Sequence, residues 1–427
     1  MNDYDVADGC CNTRYITSFS HYHLLSTMII IAAVLVFSLL LAKLAVMYYQ
    51  WRTSPLRRAP GPPSKSFLLG YIFTILKEPF LQPHKAWWKQ ALLNSKEVPF
   101  LAYSTLFGRY ALTVLDCSIV QHILTQPASR DPVRYPKKYL LLRETIGDGL
   151  VTLEGSVWSR HRRIIQPSFH AGFVNESLEA AVPALTAQLI GAWSKATASR
   201  EIDVASHLSA LTLDVIGVTA FSHEFRALHS LDEWVTNSEQ LDVPALKDAV
   251  ITSLLDSLNV TPLVVFLTVL RIPWLEKYMS IKSWRTRQAL NDAVDNVIRQ
   301  ARTKKEKHVG SEESYNDANG QRSLLQLLFD ATDTESKQPL NDTELRDEVK
   351  TFIVAGHETT STWCYWALYA LAKYPDVQLK VYNDIANHAA GRETLELKTT
   401  DHMSYFAAFL NEVLRMFPPV GMIVRNT

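Results

Sequence analysis

Cysteine is scarce: the 427-residue chain has four, Cys10, Cys11, Cys117 and Cys364. Two are adjacent and two stand alone. That pattern excludes a disulfide scaffold and a zinc-type spacing, and it suits a reducing compartment. Net charge is lacking too, since 43 basic side chains balance 43 acidic ones. Nucleic acid is therefore not expected as a partner. No internal repeat is visible. At 47% hydrophobic and 20% charged, the composition sits near the globular average and excludes collagen-like and disordered classes. Length alone allows one large domain or two to three small ones. Aromatics are not scarce. Ten Trp, 17 Tyr and 17 Phe supply material for a large core and an apolar pocket.

The longest absence is one of charge, from Leu24 to Ala42, where only Ser26, Thr27 and Ser38 interrupt an apolar run. Lys43 breaks it before Leu44–Tyr49 carries it on to Trp51. About 20 helical residues cross the ~30 Å hydrocarbon layer. The run begins late and follows Asp3, Asp5 and Asp8. It therefore reads as a retained anchor rather than a cleaved signal peptide, which needs a basic start. Arg14 alone precedes it, whereas Lys43, Arg52, Arg57, Arg58 and Lys65 follow. The positive-inside rule then puts the larger C-terminal part in the cytosol. Tyr48, Tyr49 and Trp51 suit the interfacial belt. The expected organisation is a non-cytosolic segment 1–23, a transmembrane helix 24–51, a proline-rich spacer 52–70 and a catalytic body 71–427. Pro55 and Pro60-Gly61-Pro62-Pro63 make the spacer stiff and extended.

Beyond residue 70 the pattern predicts a mainly α body with a small β part. Apolar residues recur at three and four over 157–166, 173–195, 203–221, 285–303, 342–373, 375–390 and 404–416. Phe100–Leu106 and Tyr110–Leu115, either side of Gly108, read as a hairpin. Lys304–Gln321 reads as a polar surface loop.

The most informative stretch is Asn341–Lys373. Asn341 with Glu344 forms a capping-box signature, and Pro375 marks the end. Leu345, Val349, Phe352, Ile353, Trp363, Ala367, Ala370 and Leu371 make one continuous stripe. In the middle sits Ala355-Gly356-His357-Glu358-Thr359-Thr360. A helix-interior glycine costs about 1 kcal/mol relative to alanine, and a buried carboxylate costs more unless paired or hydrated. Such costs gathered in one turn point to a site where backbone meets a ligand and side chains carry protons. A second membrane span and a solvated patch are the rival readings. The polar turn opposes the first, the apolar flanks the second. In Ser404–Met416, Glu412 and Arg415 lie one turn apart among Phe406, Phe409, Leu410, Val413 and Leu414, so the pair is expected to be buried.

With these residues in view, the chain resembles the cytochrome P450 family of haem-thiolate monooxygenases. Four features appear in the family's order: the anchor with its proline-rich spacer, Trp158-Ser-Arg-His-Arg162, Ala355-Gly356-His-Glu358-Thr359-Thr360, and Glu412-Val-Leu-Arg415 followed by Pro418-Pro419. The resemblance implies a P450-like, mainly α fold and haem b as cofactor. It implies hydroxylation of a lipophilic small molecule with O₂, and electrons from NADPH through a reductase. It also implies a single N-terminal anchor in the endoplasmic reticulum membrane. Trp158, Arg162 and Arg425 would hold the haem propionates, with Ala355 and Gly356 leaving room beside the ring. Glu358 and Thr359 would handle protons at the oxygen, and Glu412 and Arg415 would support the core. His161, between the motif residues, reads as a surface helix residue. Residues 207–290, with Phe221, Phe225, Trp234, Phe266 and Trp274, would line an apolar pocket.

The family's axial ligand is a cysteine in a glycine-framed loop after the Glu-x-x-Arg helix, and that loop is not in this sequence. Cys10 and Cys11 precede the anchor, Cys117 has no such framing, and Cys364 reads as a small buried residue. No metal ligand is therefore assigned within these 427 residues. A fragment of an active enzyme and a non-catalytic, truncated, membrane-tethered helical protein both remain open.

Overall fold

A computed structural model describes residues 11–63, 66–78, 81–94, 97–125, 142–143, 146–195, 201–229, 281–308, 323–389, 391 and 397–425. They belong to two compact units, Met1–Thr125 and Gln126–Thr427. The fold is mainly helical with one small antiparallel sheet, as the periodicity predicts.

In the first unit, α1 (Cys11–Thr53) is one continuous helix. Its stretch Ile30–Thr53 is long and apolar enough to cross a membrane, and none of it is buried. A single 3-10 turn, Pro55–Arg58, follows. After it come α2 (Ile72–Lys77), α3 (Gln82–Asn94), β1 (Phe100–Ser104), β2 (Tyr110–Val114) and α4 (Cys117–Thr125). The strands pair Phe100 with Val114 and Ser104 with Tyr110. Tyr71, Trp87, Val98, Leu101 and Tyr103 form the core beneath them.

The proline-rich segment departs from the expected spacer. It is stitched to β1: the Ala102 N–H donates to the Pro60 carbonyl at 2.7 Å, and the Tyr71 N–H to Ser104 at 2.8 Å. A Cβ at Gly61 would stand 2.0 Å from the Ala102 carbonyl oxygen, so only glycine admits this approach. The end of α1 is equally engaged. Tyr48, Trp51 and Phe67 interlock at ring separations of 5.3–5.6 Å, and the Arg57 guanidinium lies 4.9 Å from the Trp51 ring. Tyr49 is 68% and Tyr48 48% exposed.

The second unit contains α5 (Gly155–Ile165), α6 (Ala171–Lys195), α7 (Val204–Phe221), α8 (Ile281–His308), α9 (Leu324–Asp330), α10 (Asp342–Lys373), α11 (Pro375–Ala389), α12 (Leu397–Thr400) and α13 (Ser404–Met416). Helix α8 runs through Lys304 to His308, into the stretch expected to be loop. Helix α7 is also apolar enough to span a membrane. It is instead a core element, with Leu208, Ala210, Leu213 and Phe221 buried against Val349, Phe352 and Ile353 of α10. Of the expected pocket residues, Phe221 is buried and Phe225 packs beside it. Trp234, Phe266 and Trp274 lie outside the described residues.

Candidate active site on the central helix

Helix α10 begins as its sequence requires. The Asn341 side chain accepts the Thr343 and Glu344 N–H groups at 3.0 Å each, and Glu344 reaches back to the Asn341 N–H at 2.9 Å. Thirty-two residues extend about 48 Å. Its apolar stripe is buried at Leu345, Val349, Phe352, Ile353, Ala367 and Ala370.

The first half also buries charge. Asp347, Glu348 and Lys350 are all buried, Glu348 completely, and each is compensated. Asp347 accepts the Asp148 N–H at 2.8 Å and pairs with Lys350 at 2.7 Å. Lys350 also donates to Asn291 of α8 at 3.2 Å. Glu348 accepts the Leu150 N–H at 3.1 Å through one oxygen, and the other lies 2.7 Å from His161 Nδ1. The loop beneath is shaped to these groups, since a Cβ at Gly147 would stand 2.3 Å from the Asp347 carboxylate.

In the middle the environment changes. His357 is fully buried, Gly356, Glu358 and Thr359 are partly covered, and Ala355 and Thr360 are exposed. The helix is buried throughout Asp347–Ile353 and opens at this turn; beyond it Ser361, Ala367 and Ala370 are buried while Leu368 and Tyr369 are exposed. The hydroxyls turn inward along the helix: Thr359 donates to Ala355 O at 2.6 Å and Thr360 to Gly356 O at 2.9 Å. Glu358 is not the buried carboxylate that the sequence suggests. Its side chain is 40% exposed and 3.6 Å from His357 Nε2. The His357 Nδ1–H donates to Ile353 O at 2.8 Å, and burial holds its pKa below the ordinary 6.5.

Gly356 has a different reason to be glycine. A Cβ there would stand 2.8 Å from Ile216 Cδ1 of α7, so its bareness serves helix–helix contact, and the small residue on the open face is Ala355. The His357 carbonyl receives the Thr212 hydroxyl of α7 at 3.0 Å, which fixes the two helices at this level.

Helix α5 carries Trp158 and Arg162 four residues apart, with the guanidinium 5.1 Å from the indole ring and exposed. Arg162 makes one contact from its Nε, to Gln166 at 3.3 Å. Other side chains bolt the helix down. Arg160 donates to Glu344 at 2.8 Å, and Arg163 to Asp333 at 2.8 and 3.2 Å. The Arg163 bond holds the Asp333 carboxyl well below the usual carboxylate range. His161 corrects the sequence reading: it is 1% exposed, bound to Glu348, with Nε2 3.5 Å from Glu344. The signal for it was available in His161, Ile164 and Ile165, which are the buried face of α5.

The other predicted residues are not gathered here. Glu412 and Arg415 pair at 2.6 and 2.7 Å, but on the surface, with side chains 54% and 70% exposed. Val413 is the buried residue of α13. Arg425 bonds the adjacent Val424 carbonyl at 3.1 Å. Cys117 is exposed, whereas Cys364 packs against the core and its thiol pKa is raised by burial.

Comparison with known proteins gives a consistent answer. A profile described as "Cytochrome P450" matches residues 60–427. Cytochrome P450 monooxygenase 205 of Postia placenta is 29% identical over 90% of this chain and 68% of its own length. Rabbit cytochrome P450 4A7 is 27% identical over 91% and 72%. A human ultra-long-chain fatty acid omega-hydroxylase is 27% identical over 87% and 66%. The chain spans about two thirds of the length of these relatives.

Proposed function

The chain belongs to the cytochrome P450 family, and on that premise we propose that it is the larger part of a membrane-anchored monooxygenase acting on a lipophilic molecule. One oxygen atom enters a C–H bond of the substrate. The other leaves as water, with two electrons from an NADPH-dependent reductase and two protons. The observation that carries the reading is the exposure of Ala355 and Thr360 beside the fully buried His357, directly after the buried stretch Asp347–Ile353 of the central helix.

The residues present fit a haem. Ala355 is small and exposed at that turn, and Arg162 presents an exposed guanidinium over Trp158, a donor set suited to carboxylates. Haem, when bound, supplies the oxygen chemistry, and the remainder falls to side chains. Trp158, Arg162 and Arg425 bind the cofactor's propionates. Glu358, partly exposed, takes a proton from water and the Thr359 hydroxyl hands it on, once it releases the Ala355 carbonyl. Glu412 and Arg415 form a surface pair in this chain and are assigned a supporting role. Neither described free cysteine is placed as an axial ligand, so the thiolate is assigned to sequence that this chain does not contain.

We assign segment 1–23 to the non-cytosolic side, 24–51 to the anchor, 52–70 to the junction and 71–427 to a cytosolic catalytic body at the endoplasmic reticulum. The apolar Ile30–Thr53 stretch, none of it buried, supports this. The relatives named for a fatty acid and for taurochenodeoxycholic acid, the latter a pig 6α-hydroxylase 27% identical over 93% of this chain, favour a lipid substrate. The test is spectroscopic. Extend the reading frame, load the longer protein with haem, reduce it and add carbon monoxide. A Soret band at about 450 nm supports the thiolate enzyme. A folded, haem-loaded sample without that band removes it. A stop codon after codon 427 would instead favour a non-catalytic tethered protein.

A further inference from the structure

Helix α5 carries Trp158 and the exposed Arg162, and on its buried side His161 lies beside Ile164 and Ile165, with Arg160 adding a bond to Glu344 of α10 at 2.8 Å. His161 Nδ1 lies 2.7 Å from Glu348 Oε1, and its Nε2 lies 3.5 Å from Glu344 Oε1, one turn earlier on α10. Glu348 is 0% exposed, and its second oxygen takes the Leu150 N–H from the loop leading into α5. One carboxylate therefore registers both the loop and the helix against α10. A buried polar pair in such a place is weak evidence of stability, because burying it costs nearly what it returns, but it defines geometry sharply. Here it fixes the angle about the α5 axis, and that angle decides where Trp158 and Arg162 point.

We propose that His161 is a positioning residue: with Glu348 it forms a buried strut that holds helix α5 so that Trp158 and Arg162 face the cofactor. The proposal rests on the haem reading of those two residues. Arg163 is the natural contrast, because its pair with Asp333 also ties α5 down. That pair holds the helix to a turn in which Asp333 accepts from Ser336, and it does not involve α10.

The test uses the full 427-residue chain in detergent micelles, with hemin as the probe, and follows quenching of tryptophan fluorescence. Hydrogen–deuterium exchange over 155–165 reports the helix independently of any ligand. His161→Leu should weaken hemin binding about tenfold, the equivalent of about one lost hydrogen bond, and should speed exchange. His161→Gln, which keeps one N–H for Glu348, should restore most of both. Asp333→Asn should lower the melting temperature without changing hemin affinity. Equal weakening by Asp333→Asn, or none by His161→Leu, overturns the positioning role. Should His161→Leu fail to fold, His161→Gln and Glu348→Gln decide the matter: unchanged affinity and exchange in both would overturn it. Wild-type protein of this length that takes up no hemin leaves exchange as the readout, because the axial cysteine is assigned to sequence outside this chain. The strut would then stand or fall on whether exchange over 155–165 rises in both variants.

Discussion

The two halves of helix α10 spend polarity differently. Around Asp347–Thr351 each buried polar side chain has a partner: Lys350 and the Asp148 N–H for Asp347, His161 and the Leu150 N–H for Glu348, and the Asp347 carbonyl for Thr351. Around Ala355–Thr360 the hydroxyls bond only to their own helix, and the carboxylate of Glu358 is partly in solvent. The first arrangement holds neighbours in place. The second leaves Ala355 and Thr360 exposed among the described residues, while Gly356 and the His357 carbonyl still meet α7. Polarity on a central helix is thus structural where neighbours satisfy it, and available for chemistry where they do not.

Four changes sharpen or break that contrast. The largest is Glu348→Ala, which leaves His161 and the Leu150 N–H buried without their acceptor. It should cost about 2–4 kcal/mol in urea unfolding, since each buried polar group left unsatisfied costs about 1–3 kcal/mol, and a loss no greater than that of an average surface substitution would erase the distinction between the halves. Next, in the haem-loaded extended enzyme, Thr359→Ala should barely alter stability, since one hydroxyl contributes about 1 kcal/mol. Oxygen uptake should continue while hydrogen peroxide rises and product per NADPH falls several-fold. Thr360→Ala should do much less. Equal uncoupling in both, or none, would mean that the open face has been assigned to the wrong hydroxyl.

Gly356→Ala sets a helix gain of about 1 kcal/mol against overpacking of about 1–3 kcal/mol on Ile216. A net loss of about 1 kcal/mol is expected, relieved by adding Ile216→Val. Absence of that relief would show that the glycine is not there for α7. The smallest effect is the pH dependence of His357. Its folded pKa is depressed by burial, so below about pH 6.5 the unfolded chain takes up a proton that the folded one refuses. Its contribution is full above that pH and drains as pH falls toward the folded value. Unfolding free energies should decline on acidification, and less steeply in His357→Gln. An identical slope would exclude the residue as a cause.

Periodicity revealed what is local. The hairpin, the capping box at Asn341 and Glu344, and helices α5–α7, α10, α11 and α13 were all legible, because apolar spacing and caps act within a few residues. The membrane-length helix was legible for the same reason. Pairings across the chain were not. His161 sits among Arg160, Arg162 and Arg163, so its neighbours suggested a solvated helix, while its partner lies 187 positions away. The sequence placed the buried carboxylate at Glu358, when the residue without exposure is Glu348. Both stand in polar turns of one helix, and only the packing of α5 tells them apart. The roles of Arg425, Glu412 and Arg415 came from resemblance alone, and among the described residues these side chains stay local.

The contact between Pro60–Gly61 and β1 bears on how the protein can be cut. A soluble version begun after Gly70 would remove the acceptor of the Ala102 N–H and the tight backbone neighbour of the strand. The hairpin would be left with a raw edge, prone to pair with another copy. The workable boundary falls between Thr53, where the apolar helix ends, and Pro60. Any protease that separates α1 from the rest without unfolding the hairpin must cut within those few residues.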